Sequence, residues 1–334
     1  MGWSGPAAAA LAVALLVSAG DSLAGDDEPK PFPTDRTQIL KSGGTYFVEG
    51  RVHVGKGIDI KVQKDTRIVG RGDKGGVIEL EGQLALVGIT DLPVVLTDVT
   101  IEVQPKFDEL RVSVCEFAGT SAGIRSPKDA AVDGRVFVEN TKFGGKSTVD
   151  LTMSSNEIDL QRVRVASRVH VKAVEAGGTS VNKVKVNLYN NCTAPGTPVN
   201  GKLGGGVLIE NAAAVEARTN VFEGDKVTFL DCGAVDFDEN SVRCKTLEFL
   251  QTQAGRFGKT TVTKCDFLCE KIVVSSPCPD GKTETLSVVH CWFGGDTKEN
   301  SVRDKFVKDH SSDPKCGVAV DLQKLVDKEQ RFAK

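Results

Sequence analysis

One short pattern returns along this chain at an interval of about 25 residues, and it constrains the fold more than any other feature. A β-rich run is followed by a small polar or thiol position and, after one intervening residue, usually Phe. It reads Val112-Ser113-Val114-Cys115-Glu116-Phe117 and recurs as Val138…Thr141…Phe143, Ala217…Asn220…Phe222, Val262…Cys265…Phe267 and Val288…Cys291…Phe293. Repetition at such a period is the mark of a solenoid, in which each repeat buries its apolar face only by stacking on the next. A 334-residue chain of this kind is one elongated domain,.

Aligning the small position predicts a ladder through Cys115, Thr141, Ser167, Cys192, Asn220, Cys244, Cys265 and Cys291, with neighbours about 4.8 Å apart in a parallel stack,. Upstream, residues 44–103 break into very short β-type runs at 46–48, 52–54, 58–62, 66–69, 77–80, 84–87, 94–96 and 99–103. Alternation such as Ile58/Ile60/Val62 puts apolar side chains on one face,. Most runs lack a two-residue Asn-Gly or Asp-Gly hairpin between them, so coil stacked on coil fits better than an antiparallel meander. The predicted fold class is all-β, a parallel β-helix solenoid of about ten or eleven coils.

The ends read differently. Residues 1–24 have the form of a signal peptide, with an apolar run at 7–19 and Ser22-Leu23-Ala24 as cleavage pattern, although no Lys or Arg precedes the run,. Export, to the periplasm, cell surface or extracellular space, is the expectation. Residues 25–43 are an acidic, Pro-rich linker with a possible N-terminal capping helix over 34–41,. The β-helix is expected over 44–305. The tail, 306–334, carries apolar Leu322, Leu325, Val326 and Phe332 among charges, which predicts a second capping helix over 321–332,. No later stretch is apolar enough to span a membrane, so the mature chain should have no transmembrane segment,.

The segment TYFVEGRVHVGKGIDIKVQKDTRIVGRGDKGGVIELEG, followed by coils ending in FAG, FGG and FEG, resembles the right-handed parallel β-helix proteins of the pectate-lyase-like group, over residues 44–295. The resemblance implies a right-handed coil and points to noncatalytic or uncharacterised members. The group spans lyases, glycosidases, epimerases and adhesins, so the fold chooses no function. The chain has no Arg-x-Pro-x-x-Arg, Asp-Pro-His-Asp or Gly-His-Gly element.

Nine cysteines in an exported chain leave at least one unpaired,. Stacked Cys265 and Cys291 would lie within the Cα range a disulfide needs; the alternative is that they are small buried side chains of the ladder. Cys265, Cys269 and Cys278 lack the paired spacing of a structural zinc site,. Gly70-Arg71-Gly72-Asp73-Lys74-Gly75 matches G-x-G-x-x-G, but a strand pattern follows it where a phosphate-binding site needs a helix,. Its Arg-Gly-Asp reads as a turn. His290 and Cys291 are adjacent, and adjacent strand residues face opposite ways, which argues against a catalytic pair.

Asp236 and Asp238 would share one strand face at about 6.8 Å, a separation suited to an inverting glycosidase or to calcium ligands. With Arg243 nearby, they are the candidates for a carbohydrate-active enzyme, a lyase or hydrolase, and Ca2+ would be its cofactor only if a lyase. Against this stands the reading of a solvated acidic turn. The stronger feature is basic: Arg162, Arg164, Arg168, Lys172, Lys183 and Lys185 stand against the single acid Glu175 between 161 and 185. With Val163, Val165, Val169 and Val171 inward, these cations would project outward as a stripe able to bind an acidic polysaccharide or cell-surface partner, or simply form a solvated face. Aromatic residues for stacking bases are missing there, and the net charge is only -3, so nucleic acid is not expected,. The sequence thus favours a noncatalytic exported binding protein, over a carbohydrate-active enzyme and over a structural, self-associating surface protein.

Overall fold

In the computed structural model, residues 28–174, 183–193, 206–252, 260–277, 283–294, 298–311, 313 and 315–327 are described. The expected signal peptide at 1–24 lies outside them.

Each coil contributes three strands in turn. Val94–Thr97, Val99–Val103 and Glu109–Ser113 form one coil; Cys115–Ala118, Gly123–Arg125 and Arg135–Glu139 form the next. Corresponding strands pair in parallel and in register, as in Leu110↔Val136 and Val112↔Val138 on the third face or Phe117↔Phe143 on the first. The third face is a 12-stranded sheet among the described residues. The first and second faces merge into a 21-stranded sheet, because Val221–Leu230 and Ser241–Leu250 run unbroken around the corner between them. The architecture is a three-faced parallel β-helix, nearly all β, and all eight short runs expected between 46 and 103 are strands.

Period-2 alternation fills the interior. Val163, Val165, Val169 and Val171 are buried as expected, and Phe117, Phe143, Phe222, Phe267 and Phe293 are all at most 1% exposed. Stacked rings tie successive coils: Phe117 and Phe143 lie 4.5 Å apart at 10°, and Phe267 and Phe293 lie 5.0 Å apart. Such pairs add about 0.5–1.5 kcal/mol beyond burial.

The corner between the third and first faces turns each coil through one residue in the left-handed region: Val114, Asn140, Arg162, Asn190, Thr219, Glu239, Lys264 and His290, with φ between 46° and 56°. The next residue points inward, and in most of these coils its backbone N–H is met by a side chain one coil on. Val163 N donates to Asn191 Oδ1 at 2.8 Å, Asn191 N to Asn220 Oδ1 at 2.9 Å, and Asn220 N to Asn240 Oδ1 at 2.9 Å. Sulfur continues the series, with Asn240 N to Cys265 Sγ and Cys265 N to Cys291 Sγ, both at 3.4 Å. Each Asn amide also donates back to a carbonyl of the coil before, as Asn220 Nδ2 does to Leu188 O at 2.9 Å.

The ladder is therefore Cys115, Thr141, Val163, Asn191, Asn220, Asn240, Cys265 and Cys291. Three expected members are displaced. Ser167 sits before Arg168 at the next corner, Cys192 stands one position on, opposite Arg164, and Cys244 stacks on Gly224 at the corner between the first and second faces. Coil length is the cause, since successive rungs are separated by 20 to 29 residues.

Neither expected terminal helix forms within the described residues. Gln38–Leu40 is a strand paired to Ile60–Val62, with Leu40 buried; the prolines at 31 and 33 favour extended chain before it,. Val318–Gln323 is a strand paired along Glu284–Val289, with Val318 and Val320 buried at period 2. The coil stack so extends beyond 44–305 at both ends. A single turn of helix, Glu299–Arg303, lies near the C-terminal end instead.

The G-x-G-x-x-G stretch is a packing motif. A Cβ at Gly70 would lie 2.0 Å from the Asp98 carbonyl oxygen, and Gly75, at φ +70°, donates no room either, at 2.3 Å. Gly76 N donates to that same carbonyl at 2.9 Å.

Asn220→Ala removes the acceptor of the buried Asn191 N–H and the side-chain donor to the Leu188 carbonyl, and should lower stability by about 1–3 kcal/mol in urea titration, whereas a surface change at exposed Lys64 should leave the midpoint unmoved,.

Candidate functional site

The outer surface carries three groupings of polar residues, each set by strand register. On the third face, Asp159, Asn187, Glu216 and Asp236 occupy one row on four successive strands. Asp236 and Asp238 do share that face, but they are held by neighbours: Arg218 binds Asp236, and Thr263 Oγ1 donates to Asp238. Arg243 lies around the corner on the first face, 3.9 Å from Glu223, so the structure does not gather Asp236, Asp238 and Arg243. Calcium needs six to eight oxygens. Among the described residues no three His, Cys, Asp or Glu side chains converge on a metal position, and these engaged carboxylates do not fit one.

The row holds residues that the sequence reading did not single out. Burial raises the Asp159 carboxyl above its usual range, against a hydrogen bond from Asn187 that lowers it. Tyr189 O–H donates to Glu216 at 2.5 Å, and burial together with that carboxylate pushes the phenol up to about 12. Only a correct coil alignment would have shown that residues separated by 20 to 30 positions form this row.

On the second face a column of charges neutralises itself. Glu102, 7% exposed, receives Arg51 and both Nε and Nη2 of Arg125 at 2.8 Å. Burial opposes its ionisation, but Arg125 and Arg51 outweigh that and hold its carboxyl low. Three coils beyond Glu102, His170 lies 3.0 Å from Asp150 and 3.3 Å from Glu210, while Arg168 also binds Asp150. The Asp150 hydrogen bond raises the His170 pKa against the opposing effect of burial.

The third grouping is a groove of about 1000 Å³ along the left-handed corner. Its lining runs from Pro93 through Asn140 and Lys142 to Arg162, Arg164 and Asn190. Lys142 and Arg164 stand directly opposite each other on neighbouring first-face strands. Lys142 reaches Glu116 at 2.9 Å on its other side; among the described residues no carboxylate pairs with Arg162 or Arg164. Like charges directly opposite are destabilising unless something neutralises them.

The six predicted cations thus do not form one stripe. Arg162 and Arg164 belong to the corner groove, Arg168 and Lys172 to the second face, and Lys183 and Lys185 to the approach and start of a third-face strand. Residues consecutive in sequence pass two corners in that interval and separate.

Cys265 and Cys291 are stacked but unbridged, and the seven cysteines whose side chains are described, Cys115, Cys232, Cys244, Cys265, Cys269, Cys291 and Cys316, are free and buried. Both are rungs at the corner between the third and first faces, where Cys291 Sγ accepts from Cys265 N at 3.4 Å, Cys265 Sγ donates to Thr263 O at 3.1 Å and Cys291 Sγ donates to Val289 O at 3.4 Å. Burial pushes Cys115, Cys232 and Cys244 up to about 12. Cys278 lies outside the described residues. His290 is a left-handed corner residue and Cys291 an inward rung, which separates the two side chains.

Comparison with protein-family models, with curated proteins and with solved structures finds no match. Among the described residues no helix is long and apolar enough to cross a membrane.

Two outcomes check this arrangement. Because the folded His170 pKa is raised, its contribution to stability is full below its unfolded value and is lost as pH rises through the folded value,. Melting temperatures should fall from pH 6 to 8, and His170→Gln should flatten that slope. Under a thiol reagent at neutral pH, the seven buried cysteines should stay unreacted in the native protein and react in denaturant,.

Proposed function

We propose that this protein is an exported, noncatalytic β-helix protein that holds an acidic polysaccharide, or an acidic cell-surface glycan, in the corner groove. The carrying observation is the juxtaposition of Lys142 and Arg164 beside Arg162, with neither guanidinium neutralised by a described carboxylate. Arg suits such a ligand because its planar fork takes carboxylate or sulfate oxygens in pairs. The groove crosses the strands of successive coils, so its length follows the helix axis at about 4.8 Å per coil, a shape for an extended polymer. Asn140 and Asn190 line it as well and offer amide donors and acceptors to sugar hydroxyls,.

The sequence resemblance to noncatalytic members of the pectate-lyase-like group supports this reading, as does the pairing of Asp236 with Arg218 and of Asp238 with Thr263 on the parallel β-helix. A second reading, a carbohydrate-active enzyme, draws on the protonation-prone Asp159 in one row with Glu216 and Asp236.

Retention on immobilised acidic polysaccharides, with soluble products assayed for new reducing or unsaturated ends, separates the two. Binding is expected at low salt and should fade toward 1 M, where screening acts within about 3 Å. Arg162→Ala and Arg164→Ala should each weaken it by about tenfold or more, the worth of a charge-assisted hydrogen bond. Cleavage abolished by Asp159→Asn would replace the binding reading with the enzyme.

A further inference from the structure

A second groove, independent of the basic one, lies on the third face at the N-terminal coils. Ile89-Thr90-Asp91-Leu92 folds back as a short tongue in which Ile89 and Leu92 exchange backbone hydrogen bonds at 3.2 and 2.9 Å, and Asp65 N pins the Leu92 carbonyl at 3.1 Å. The tongue separates the two grooves: Thr90 faces the basic one and Ile89 lines the other.

Four of the six exposed large hydrophobic side chains among the described residues gather at this place: Ile39 at 58%, Val87 at 46%, Ile89 at 45% and Leu92 at 37%. Ile39, Ala85, Val87 and Ile89 line a cleft of about 530 Å³, within the range of small-molecule sites,. Ala85 matters because its small side chain stands between Lys61 and Arg111 in the row Ile39↔Lys61↔Ala85↔Arg111 and leaves the floor open. That row spans three strand spacings, roughly 14 Å.

The charges of the cleft have one sign. Lys61, Lys64 and Arg111 line it and no carboxylate does. Among the described residues, Lys61 pairs with half-buried Asp59 at 3.4 Å and Arg111 with half-buried Glu109 at 3.5 Å, each two residues along the same strand, and the Arg111 guanidinium also lies 5.6 Å from the Phe137 ring centre on the next strand. An occupant must therefore match an apolar floor and a cationic rim together, which a sugar polymer does not.

We propose that this cleft binds a single anionic amphiphile, a molecule with an alkyl chain and a carboxylate head, the chain lying along Ile39, Ala85 and Val87 against the Ile89 wall and the head meeting Lys61 and Arg111. The wall is preformed by the tongue's own hydrogen bonds, so binding orders little chain,.

Titration calorimetry of the full chain with hexanoate, octanoate and decanoate, each below its micelle concentration, tests this directly. Affinity should rise about fourfold per added CH2. The double variant Lys61→Glu with Arg111→Glu should weaken the carboxylates at least tenfold and leave the matching alcohols unchanged, while Ala85→Trp should block both. Should Ala85→Trp fail to fold, Val87→Asp at an exposed position takes its place. Affinity independent of chain length, or binding to vesicles of anionic lipid without any binding of monomers, would overturn the proposal. Polysaccharide retention by these variants should be unchanged, which keeps this outcome separate from that of the basic groove.

Discussion

A coil that must turn inward through a left-handed residue leaves a backbone N–H facing the interior, and the whole structure depends on how that donor is met. An unmatched buried amide costs about 1–3 kcal/mol, and the problem recurs once per coil. Here the acceptor is supplied by the side chain one rung along, Asn in the middle of the stack and Cys toward the C-terminal end. Because Asn191, Asn220 and Asn240 each accept from one coil and donate to another, the ladder fixes the register of both flanking sheets. A one-residue slip would turn every inward Val and Phe to solvent.

With the interior fixed by the ladder, the outside is left to the turns. The second face and much of the third neutralise their own charge, through Glu102 between two arginines, Asp150 with His170, and Asp236 with Arg218. Partially exposed pairs of this kind add little stability, and their effect is to leave few charges seeking a partner. The corner beside the tongue departs from that pattern. There the chain places Arg162 and Arg164 along one groove and bare apolar side chains along another, with only the residues 89–92 between them.

The fold was largely legible in the sequence because burial in a strand has a period of two and stacking has a period of one coil. Val112, Phe117, Val262 and Phe267 carry both signals, and all are buried. Where coil length changes, spacing alone misplaces the rungs: it selects Ser167 and Cys244, while the rungs of the structure, Val163 and Asn240, sit four residues earlier in each case. Short apolar patterns at the ends were open to both helix and strand, and pairing with an existing coil decided for strand at Gln38–Leu40 and Val318–Gln323. The binding residues were legible only as types. Charge density between 161 and 185 was visible, but the corners that distribute Arg164, Arg168 and Lys185 over three faces were not.

By itself, the sequence determined that this chain would stack as coils with Val and Phe inward, since alternation and repetition act locally and survive without knowledge of neighbours. Only the tertiary structure decided which residues share a surface. Asp159, Asn187, Glu216 and Asp236 become one row, and Ile39, Ala85 and Ile89 one cleft, through register across strands 4.8 Å apart, and register depends on the length of every intervening turn,.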